Sequence, residues 1–404
     1  MNNYNPLFVA SLPRSGSYLI NMMLSANPDV EVACEPYLEL FRSMRNAFIR
    51  VGASESLQQE FNSSAPFQDY YFSDELIELL DIIQAGDLST SILEHEWKEF
   101  LKNSKARTAL QCGELVPYLE EIRGSDYKEI FDNAFKIIAK ARNSYNCKWL
   151  GMKEAWAVEF FGPLARAYPE AKFVIIFRDP RAIINSHLGM NNKSKIANIL
   201  SYVRHWRKML AFKIRYQNDD LFSNRLYVLT HEQVVTNPEK KARDLCDFLE
   251  VEYSSDMIDT NKFFDHATGS IWKGNSSFEK VTTGISKHRA ERWREMLDPK
   301  VLKMIEFTCG FDMELMGYEP TTKIMGQWPN SDILEYLIQS CNNHAKWRSD
   351  FEDPQKDYGF ELFRHALVTQ SEGYQDPAII RRSFLFEDVF KQLRCLTKDS
   401  TQVI

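Results

Sequence analysis

Short apolar runs alternate with amphipathic stretches along the first 250 residues of the chain. Uninterrupted apolar runs, partly β-branched, predict buried strands, and apolar residues that recur every three or four positions predict helices. The predicted strands are 7–10, 30–33, 149–152, 172–177 and 225–229. The predicted helices are 18–26, 157–167, 180–188, 195–216 and 239–249. Strands that alternate with helices predict an α/β fold, in which helices flank a parallel sheet.

Two regions depart from this alternation. In residues 37–146 the apolar positions recur only at helical spacing, so we interpret 38–146 as a helical insertion within an α/β domain of residues 1–320. From residue 321 the pattern is again helical and carries no motif. Residues 321–404 are therefore predicted to form a helical C-terminal extension.

Composition and charge exclude several classes of protein. The chain is 44% hydrophobic and 26% charged with a net charge of −7, which is typical of a globular protein and not of a nucleic-acid binder. Its seven cysteines are scattered without a Cys-x-x-Cys pair, so we predict neither a zinc site nor a disulfide framework. The first residues lack signal-peptide features, and no stretch approaches the length of a membrane span. We expect a cytoplasmic protein that does not engage a membrane.

The segment 12–19, LPRSGSYL, lies between the first predicted strand and the first predicted helix. Backbone N–H groups at such a junction, together with the start of the helix, can hold a phosphate-like anion. Gly16 permits close approach of the backbone, and Arg14 and the Ser15 and Ser17 hydroxyls can add donors. The segment lacks the Gly-Lys-Ser/Thr ending of the nucleoside triphosphate loop. It predicts an anion site of another kind.

A second candidate anion site is the segment 177–186, FRDPRAIINS. Arg178 closes a predicted buried strand, and Ser186 lies two helical turns further on. A guanidinium fork and a hydroxyl suit a phosphate monoester.

Taken together, these segments resemble the sulfotransferases that use 3′-phosphoadenosine 5′-phosphosulfate (PAPS) and release 3′-phosphoadenosine 5′-phosphate (PAP). Further matches follow in the same order along the chain. The segment 27–36 resembles a run in carbohydrate sulfotransferases, and 151–154 with 168–173 resembles tyrosylprotein sulfotransferases. The remaining matching segments are 230–238, 272–277 and 292–294.

This resemblance implies a role for each matching residue. Lys153 would contact the transferring group, Glu35 would be the catalytic base, and Arg14 would also assist catalysis. Arg178 and Ser186 would hold the 3′-phosphate, and Ser276 or Ser277 would lie near the adenosine or the phosphates. The residues implied to hold the 5′-phosphosulfate are Arg14, Ser15, Gly16, Ser17, Tyr18 and Leu19.

Two departures from the family pattern affect this assignment. His231 stands where the family often has a tyrosine near the adenine, so it is a candidate for that contact. The Arg-Lys-Gly loop of the cytosolic small-molecule enzymes is missing, which places the chain nearer the carbohydrate and tyrosylprotein branches. A histidine remains an alternative base, and His95, between two glutamates, is one candidate.

The sequence thus predicts a PAPS-dependent sulfotransferase that needs no metal. Residues 51–150 hold 17 acidic and 10 basic residues, which is either an ordinary solvated surface or an acidic cap over the site. The second interpretation favours a small, cationic natural-product acceptor, sulfated on oxygen or nitrogen in secondary metabolism. The alternatives are a carbohydrate or peptide-tyrosine sulfotransferase, a nucleotide-dependent kinase and a non-catalytic PAP-binding module. The oligomeric state is open, with a homodimer as one option.

Overall fold

The computed structural model describes residues 4–67, 69–71, 73–190, 199–274, 284–321, 354–370 and 376–401. Its strands are β1 (Asn5–Ser11), β2 (Val30–Cys34), β3 (Trp149–Ala155), β4 (Lys172–Phe177), β5 (Leu226–Thr230), β6 (Phe264–Asp265) and β7 (Ser270–Ile271). Its α-helices are α1 (Ser17–Ser25), α2 (Leu38–Gly52), α3 (Glu55–Glu60), α4 (Asp74–Ala85), α5 (Glu94–Gln111), α6 (Tyr127–Arg142), α7 (Phe161–Ala167), α8 (Pro180–Met190), α9 (Ile199–Gln217), α10 (His231–Thr236), α11 (Pro238–Leu249), α12 (His288–Glu291), α13 (Trp293–Met296), α14 (Pro299–Glu314), α15 (Pro354–Thr369), α16 (Pro377–Phe384) and α17 (Glu387–Thr401). Short 3₁₀ helices cover Gly113–Glu121, Ala157–Phe160, Asp220–Phe222, Ser255–Ile258 and Thr260–Lys262.

The predicted parallel sheet is confirmed. Its five strands lie in the order β2-β3-β1-β4-β5, and every neighbouring pair is parallel. β3 lies between β1 and β2, so Lys153 pairs with Val9 on one side and with Cys34 on the other. Because parallel strands end at the same edge, the chain segments that follow β1, β2 and β4 all leave the sheet at one edge.

All five predicted strands are present; β4 has its predicted limits, and each of the other four differs from them by only a few residues. The predicted helix 157–167 is wrong in its first turn, because Trp156 has a φ of 72° and Ala157–Phe160 form a 3₁₀ helix before α7 begins. The predicted helix 195–216 is observed from Ile199, and residues 195–198 lie outside the described part of the chain.

The chain divides into two compact units. The first comprises residues 1–67, 79–178 and 219–287 and holds the whole parallel sheet with most of the predicted insertion. The second comprises residues 68–78, 179–218 and 288–404. The predicted domain limits, 1–320 and 321–404, stay predictions.

Aromatic packing forms the core of the first unit. Phe8 on β1 stacks on Phe173 of β4 with ring centroids 5.6 Å apart, and it meets Phe135 of α6 edge-on at the same distance. Phe131 of α6 packs edge-on against Phe41 of α2 at 5.3 Å. Such pairs add about 0.5–1.5 kcal/mol each beyond the area that they bury. The helical segments are therefore part of the same core as the sheet.

A buried arginine ties the insertion to the sheet. The guanidinium of Arg142, at the end of α6, lies 2.7 Å from a carboxylate oxygen of Glu31 on β2 and 2.8 Å from one of Glu114. Its side chain is only 3% exposed. Because a buried charge must be paired, these contacts fix α6 and the 3₁₀ helix Gly113–Glu121 against β2.

Buried ion pairs hold the second unit together. Arg204 and Arg207 of α9 both pair with Glu361 of α15, and none of the three side chains exceeds 1% exposure. Arg364 of α15 binds Asp312 of α14 through two nitrogens at 2.7 and 2.9 Å. Removing one partner of such a pair leaves an unpaired charge in the interior, which is costly.

We predict that Arg364→Met destabilises the protein by about 3–5 kcal/mol, because the Asp312 carboxylate stays buried without its partner. Arg382→Met is the matched control, since Arg382 and its partner Asp74 are 33% and 75% exposed. The control is expected to cost less than about 1 kcal/mol. The measurement is the free energy of unfolding in urea, and equal losses in the two variants would contradict the account.

Candidate active site

The loop between β1 and α1 is built around a glycine that no other residue can replace without strain. Gly16 has a φ of 77° and caps the N-terminus of α1. A Cβ placed on it would lie 2.1 Å from Cδ2 of His231, so the histidine ring occupies the side-chain space. Arg14 also has a left-handed φ, of 68°, and the Ser15 N–H donates to the Leu12 carbonyl at 3.2 Å. The loop is thus folded tightly across the edge of the sheet.

This loop has the groups that an anion requires. The first turn of a helix presents N–H groups without intrahelical partners and a positive dipole end. Ser15 is fully buried, and its Oγ has no hydrogen-bond partner among the residues that the structure describes. Ser17 and Leu19 are buried in the first turn of α1. A phosphate or sulfate group would satisfy the Ser15 hydroxyl, so these residues fit an anionic ligand.

Arg178 and His231 support the loop from two other strands. Arg178 directly follows β4, and its Nη1 donates to the Arg14 carbonyl at 2.9 Å. His231 directly follows β5 and packs its ring against Gly16. Burial and the nearby Arg178 cation hold the pKa of His231 well below its usual range. His231 is therefore neutral at pH 7. The structure shows its ring packed against the loop at Gly16.

Tyr18 connects the loop to the β6–β7 hairpin. Its hydroxyl donates to Oδ1 of Asp265, and burial followed by this bond raises the pKa of the phenol. The two residues are far apart in sequence, and the sequence carries no signal for their contact. The bond fixes the hairpin beside the start of α1.

Lys153 and Glu35 form an ion pair at the same edge of the sheet. Lys153 is on β3, which separates the strand that leads to the loop from the strand that leads to Glu35. Its Nζ lies 2.5 Å from Oε1 of Glu35. The lysine side chain is 2% exposed and the glutamate side chain 24%. The carboxylate is thus the accessible end of a buried pair.

The two charges stabilise each other. Burial alone would raise the pKa of Glu35, but the Lys153 ammonium, with a further contribution from Arg107, lowers it. Burial alone would lower the pKa of Lys153, and the Glu35 charge raises it instead. Glu35 therefore stays ionised when the pH falls to the ordinary pKa of a glutamate. Lys153 stays ionised when the pH rises to the ordinary pKa of a lysine. Near pH 7 the pair offers one carboxylate base and one cation.

Glu154, the next residue on β3, was not among the residues predicted from sequence. It is 1% exposed, and its Oε1 accepts the Tyr37 N–H at 2.5 Å. Burial, with the Glu35 charge next in importance, raises the pKa of Glu154 to about 8. Glu154 is therefore mostly protonated at pH 7, so only one of the two neighbouring carboxyl groups is charged.

The other predicted residues are placed as follows. Ser186 lies on α8 in the second unit and is 8% exposed. Ser276 and Ser277 lie outside the described residues. His95 is exposed in the first turn of α5. Within the described ranges no three His, Cys, Asp or Glu side chains are grouped to hold a metal ion, and no helix there is long and apolar enough to cross a bilayer.

Comparison with known proteins decides the family. Residues 6–255 match the family model described as "Sulfotransferase family". The chain belongs to the sulfotransferase family. The match covers the parallel sheet from the second residue of β1 onwards, together with the loop after β1, Glu35, Lys153 and Arg178.

Two curated relatives of this sulfotransferase are vertebrate proteins. Protein-tyrosine sulfotransferase 1 of Mus musculus is 22% identical over 86% of this chain and 77% of its own length. Protein-tyrosine sulfotransferase 1 of Danio rerio is 21% identical over 78% of this chain and 72% of its own length. Among solved structures, the sulfotransferase domain of the Synechococcus PCC 7002 olefin synthase is 20% identical, covers 74% of this chain and 90% of that domain, and gives a TM-score of 0.40.

The chain is thus an enzyme of the PAPS-dependent sulfotransferase class. The loop residues fit the donor's 5′ end, because the buried Ser15 hydroxyl has no partner among the described residues and lies beside the start of α1. The predicted roles of the individual residues remain predictions, and so does the expectation that no metal is needed.

We predict that Gly16→Ala weakens PAP binding strongly, because the new methyl group displaces the His231 ring and distorts the loop. Gly317→Ala is the matched control, since Gly317 has the same φ of 77° with nothing within 4 Å of its added Cβ. In both variants an alanine in the left-handed region lowers the free energy of unfolding by about 1–2 kcal/mol. Only Gly16→Ala is expected to change the affinity for PAP. Calorimetric titration checks this, and unchanged affinity in Gly16→Ala would contradict the assignment of the loop.

Proposed function

We propose that this sulfotransferase moves a sulfuryl group from PAPS to the phenolic hydroxyl of a tyrosine in a peptide. The observation that carries the proposal is the Lys153–Glu35 pair at the sheet edge that also holds the loop of residues 12–17. The names of the curated relatives support the choice of acceptor.

PAPS, when bound, supplies an activated sulfuryl group attached to a phosphate. Residues 14–19 would hold its 5′ end, and Arg178, which directly follows β4, would hold its 3′-phosphate. Lys153 and Arg14 would stabilise the negative charge that grows on the leaving phosphate oxygen as the S–O bond breaks. Glu35 would accept the proton of the acceptor hydroxyl as the new O–S bond forms, so the proton ends on the carboxylate.

The electrostatics of Glu35 favour a phenol over an aliphatic alcohol. Lys153 lowers the pKa of Glu35, which makes the carboxylate a weak base. A tyrosine hydroxyl has a pKa of about 10, far below that of an aliphatic hydroxyl, so it requires less from the base. The arrangement at this site therefore suits a tyrosine better than a sugar hydroxyl.

A small cationic acceptor is the second candidate, and the acidic excess of residues 51–150 favours it. The ion pair counts against a non-catalytic module, and the absence of Gly-Lys-Ser/Thr in the loop counts against a kinase. A cytoplasmic location and a role in secondary metabolism stay predictions.

The acceptor is tested by incubating the enzyme with PAPS and three acceptors: a tyrosine-containing peptide, its phenylalanine counterpart and a small phenolic amine. Mass spectrometry reports the gain of one SO₃ group. We expect modification of the tyrosine peptide alone. Modification of the phenolic amine alone would favour the small-molecule acceptor, and no transfer to either hydroxyl would contradict the proposal.

We predict that Glu35→Gln lowers kcat by about 10²–10⁴-fold, because the amide cannot take the acceptor proton. Donor affinity is expected to stay unchanged. The pKa of Glu35 lies below the ordinary glutamate value of about 4.5, so protonation of Glu35 slows the wild type only at a pH below that value. The variant is expected to be slow at every pH.

Glu39→Gln is the matched control, because Glu39 is a largely buried glutamate that pairs with Arg42 on α2. It should retain the wild-type rate. Initial rates between pH 5 and 9 measure both variants, and a wild-type rate in Glu35→Gln would assign the base to another residue.

A further inference from the structure

The turn that carries Glu35 is held in an unfavourable conformation. Glu35 has a φ of 53°, in the left-handed region, which costs a residue with a Cβ about 1–2 kcal/mol. Such conformations persist only where surrounding contacts fix them. The turn joins the end of β2 at Cys34 to the start of α2 at Leu38.

Three hydrogen bonds clamp the three intervening residues. The Glu35 N–H donates to the Lys153 carbonyl at 2.6 Å, which prolongs the pairing of β2 with β3. The Tyr37 N–H donates to Oε1 of Glu154 at 2.5 Å. The Thr108 hydroxyl, on α5, donates to the carbonyl of Pro36, the residue between them, at 2.7 Å.

Of these three hydrogen bonds, only the one to Glu154 is made by a side chain of the sheet. Apart from this bond, a carboxyl group at position 154 is unfavourable for stability. It is 1% exposed, it neighbours the Glu35 charge, and its Oε2 has no partner among the described residues. Burying a carboxyl group in this way costs stability, and a shorter apolar side chain would avoid that cost. Its bond to Tyr37 is what an apolar side chain could not supply.

We propose that Glu154 is a positioning residue for sulfuryl transfer, which holds the Tyr37 N–H and thereby keeps the Glu35 carboxylate aimed at the acceptor. The proposal rests on the proposed function, because it takes Glu35 as the base. Glu154 touches neither reactant in this account, and it acts only through the turn.

The far side of the turn is anchored independently. The Tyr37 hydroxyl donates to the Ala134 carbonyl of α6 at 3.2 Å, and its side chain is 1% exposed. The ring therefore stays in place when the bond to Glu154 is removed. Removal of that bond therefore increases the conformational freedom of Glu35 and Pro36, the two residues between the strand and the anchored tyrosine.

Glu154→Met and Glu154→Gln separate positioning from general stability. Methionine fills a similar volume but cannot accept the Tyr37 N–H, whereas the glutamine carbonyl oxygen can. We expect Glu154→Met to lower kcat by about 10–10²-fold, since misplacement of a catalytic group by about 1 Å has that effect. The KM for PAPS and the PAP dissociation constant are expected to stay unchanged, and Glu154→Gln is expected to recover most of kcat.

A structural readout accompanies the kinetics. In crystal structures of the wild type and Glu154→Gln, Glu35 should keep its left-handed φ, and in Glu154→Met it should leave that region. Thr108→Val removes the second tether from a different element, and it should also lower kcat without changing PAP affinity. It keeps the test decisive if Glu154→Met does not fold.

A wild-type kcat in Glu154→Met, or an equal loss in Glu154→Met and Glu154→Gln, would overturn the positioning role. If Glu154→Met does not fold, a wild-type kcat in Thr108→Val would overturn the clamp. Failure of the proposed function is distinguishable, because there the wild type itself transfers no sulfuryl group or Glu35→Gln keeps the full rate.

Discussion

The ion pair between Lys153 and Glu35 is the interaction on which the site depends. The Lys153 side chain is 2% exposed, so its charge requires a partner, and the carboxylate of Glu35, which directly follows β2, supplies it. β3 lies between β2 and β1, so Lys153 stands between Glu35 and the loop that would receive the donor's phosphate. Catalysis of sulfuryl transfer is largely positioning and charge stabilisation, as in phosphoryl transfer. The order of three strands places both requirements at one edge.

The neighbouring groups keep that pair in its working charge state. Glu154 is adjacent to Lys153 in sequence and is mostly neutral at pH 7, so it does not compete with Glu35 for the lysine charge. His231 is neutral as well, and its ring supports Gly16. Glu154 makes one contribution to the pH dependence of stability. Its raised pKa means that the folded state holds a proton that the unfolded chain releases near pH 4.5, so this residue lowers stability as pH rises from about 5 to 8.

Much of the fold could be predicted from the sequence, because buried parallel strands are continuous apolar runs, as in Lys172–Phe177. The loop after β1 and Arg178 could be selected from their positions at strand ends, whereas Glu35 and Lys153 were selected only through the resemblance to sulfotransferases. The strand order could not be predicted, since apolar patterns do not specify neighbours. Glu154 was missed because a glutamate at a strand end is normally solvated, and only the structure shows it buried against Tyr37. The contact of Tyr18 with Asp265 joins distant segments and leaves no local pattern.

The proposed reaction requires the edge of the sheet to bind the two phosphate ends of the sulfotransferase donor. Calorimetric titration of the wild-type protein with PAP tests it most directly, with 5′-AMP and Mg-ATP as comparison ligands. The account predicts tight binding of PAP that does not depend on magnesium, and much weaker binding of 5′-AMP, which lacks the 3′-phosphate. No binding of PAP, or a preference for Mg-ATP, would contradict it.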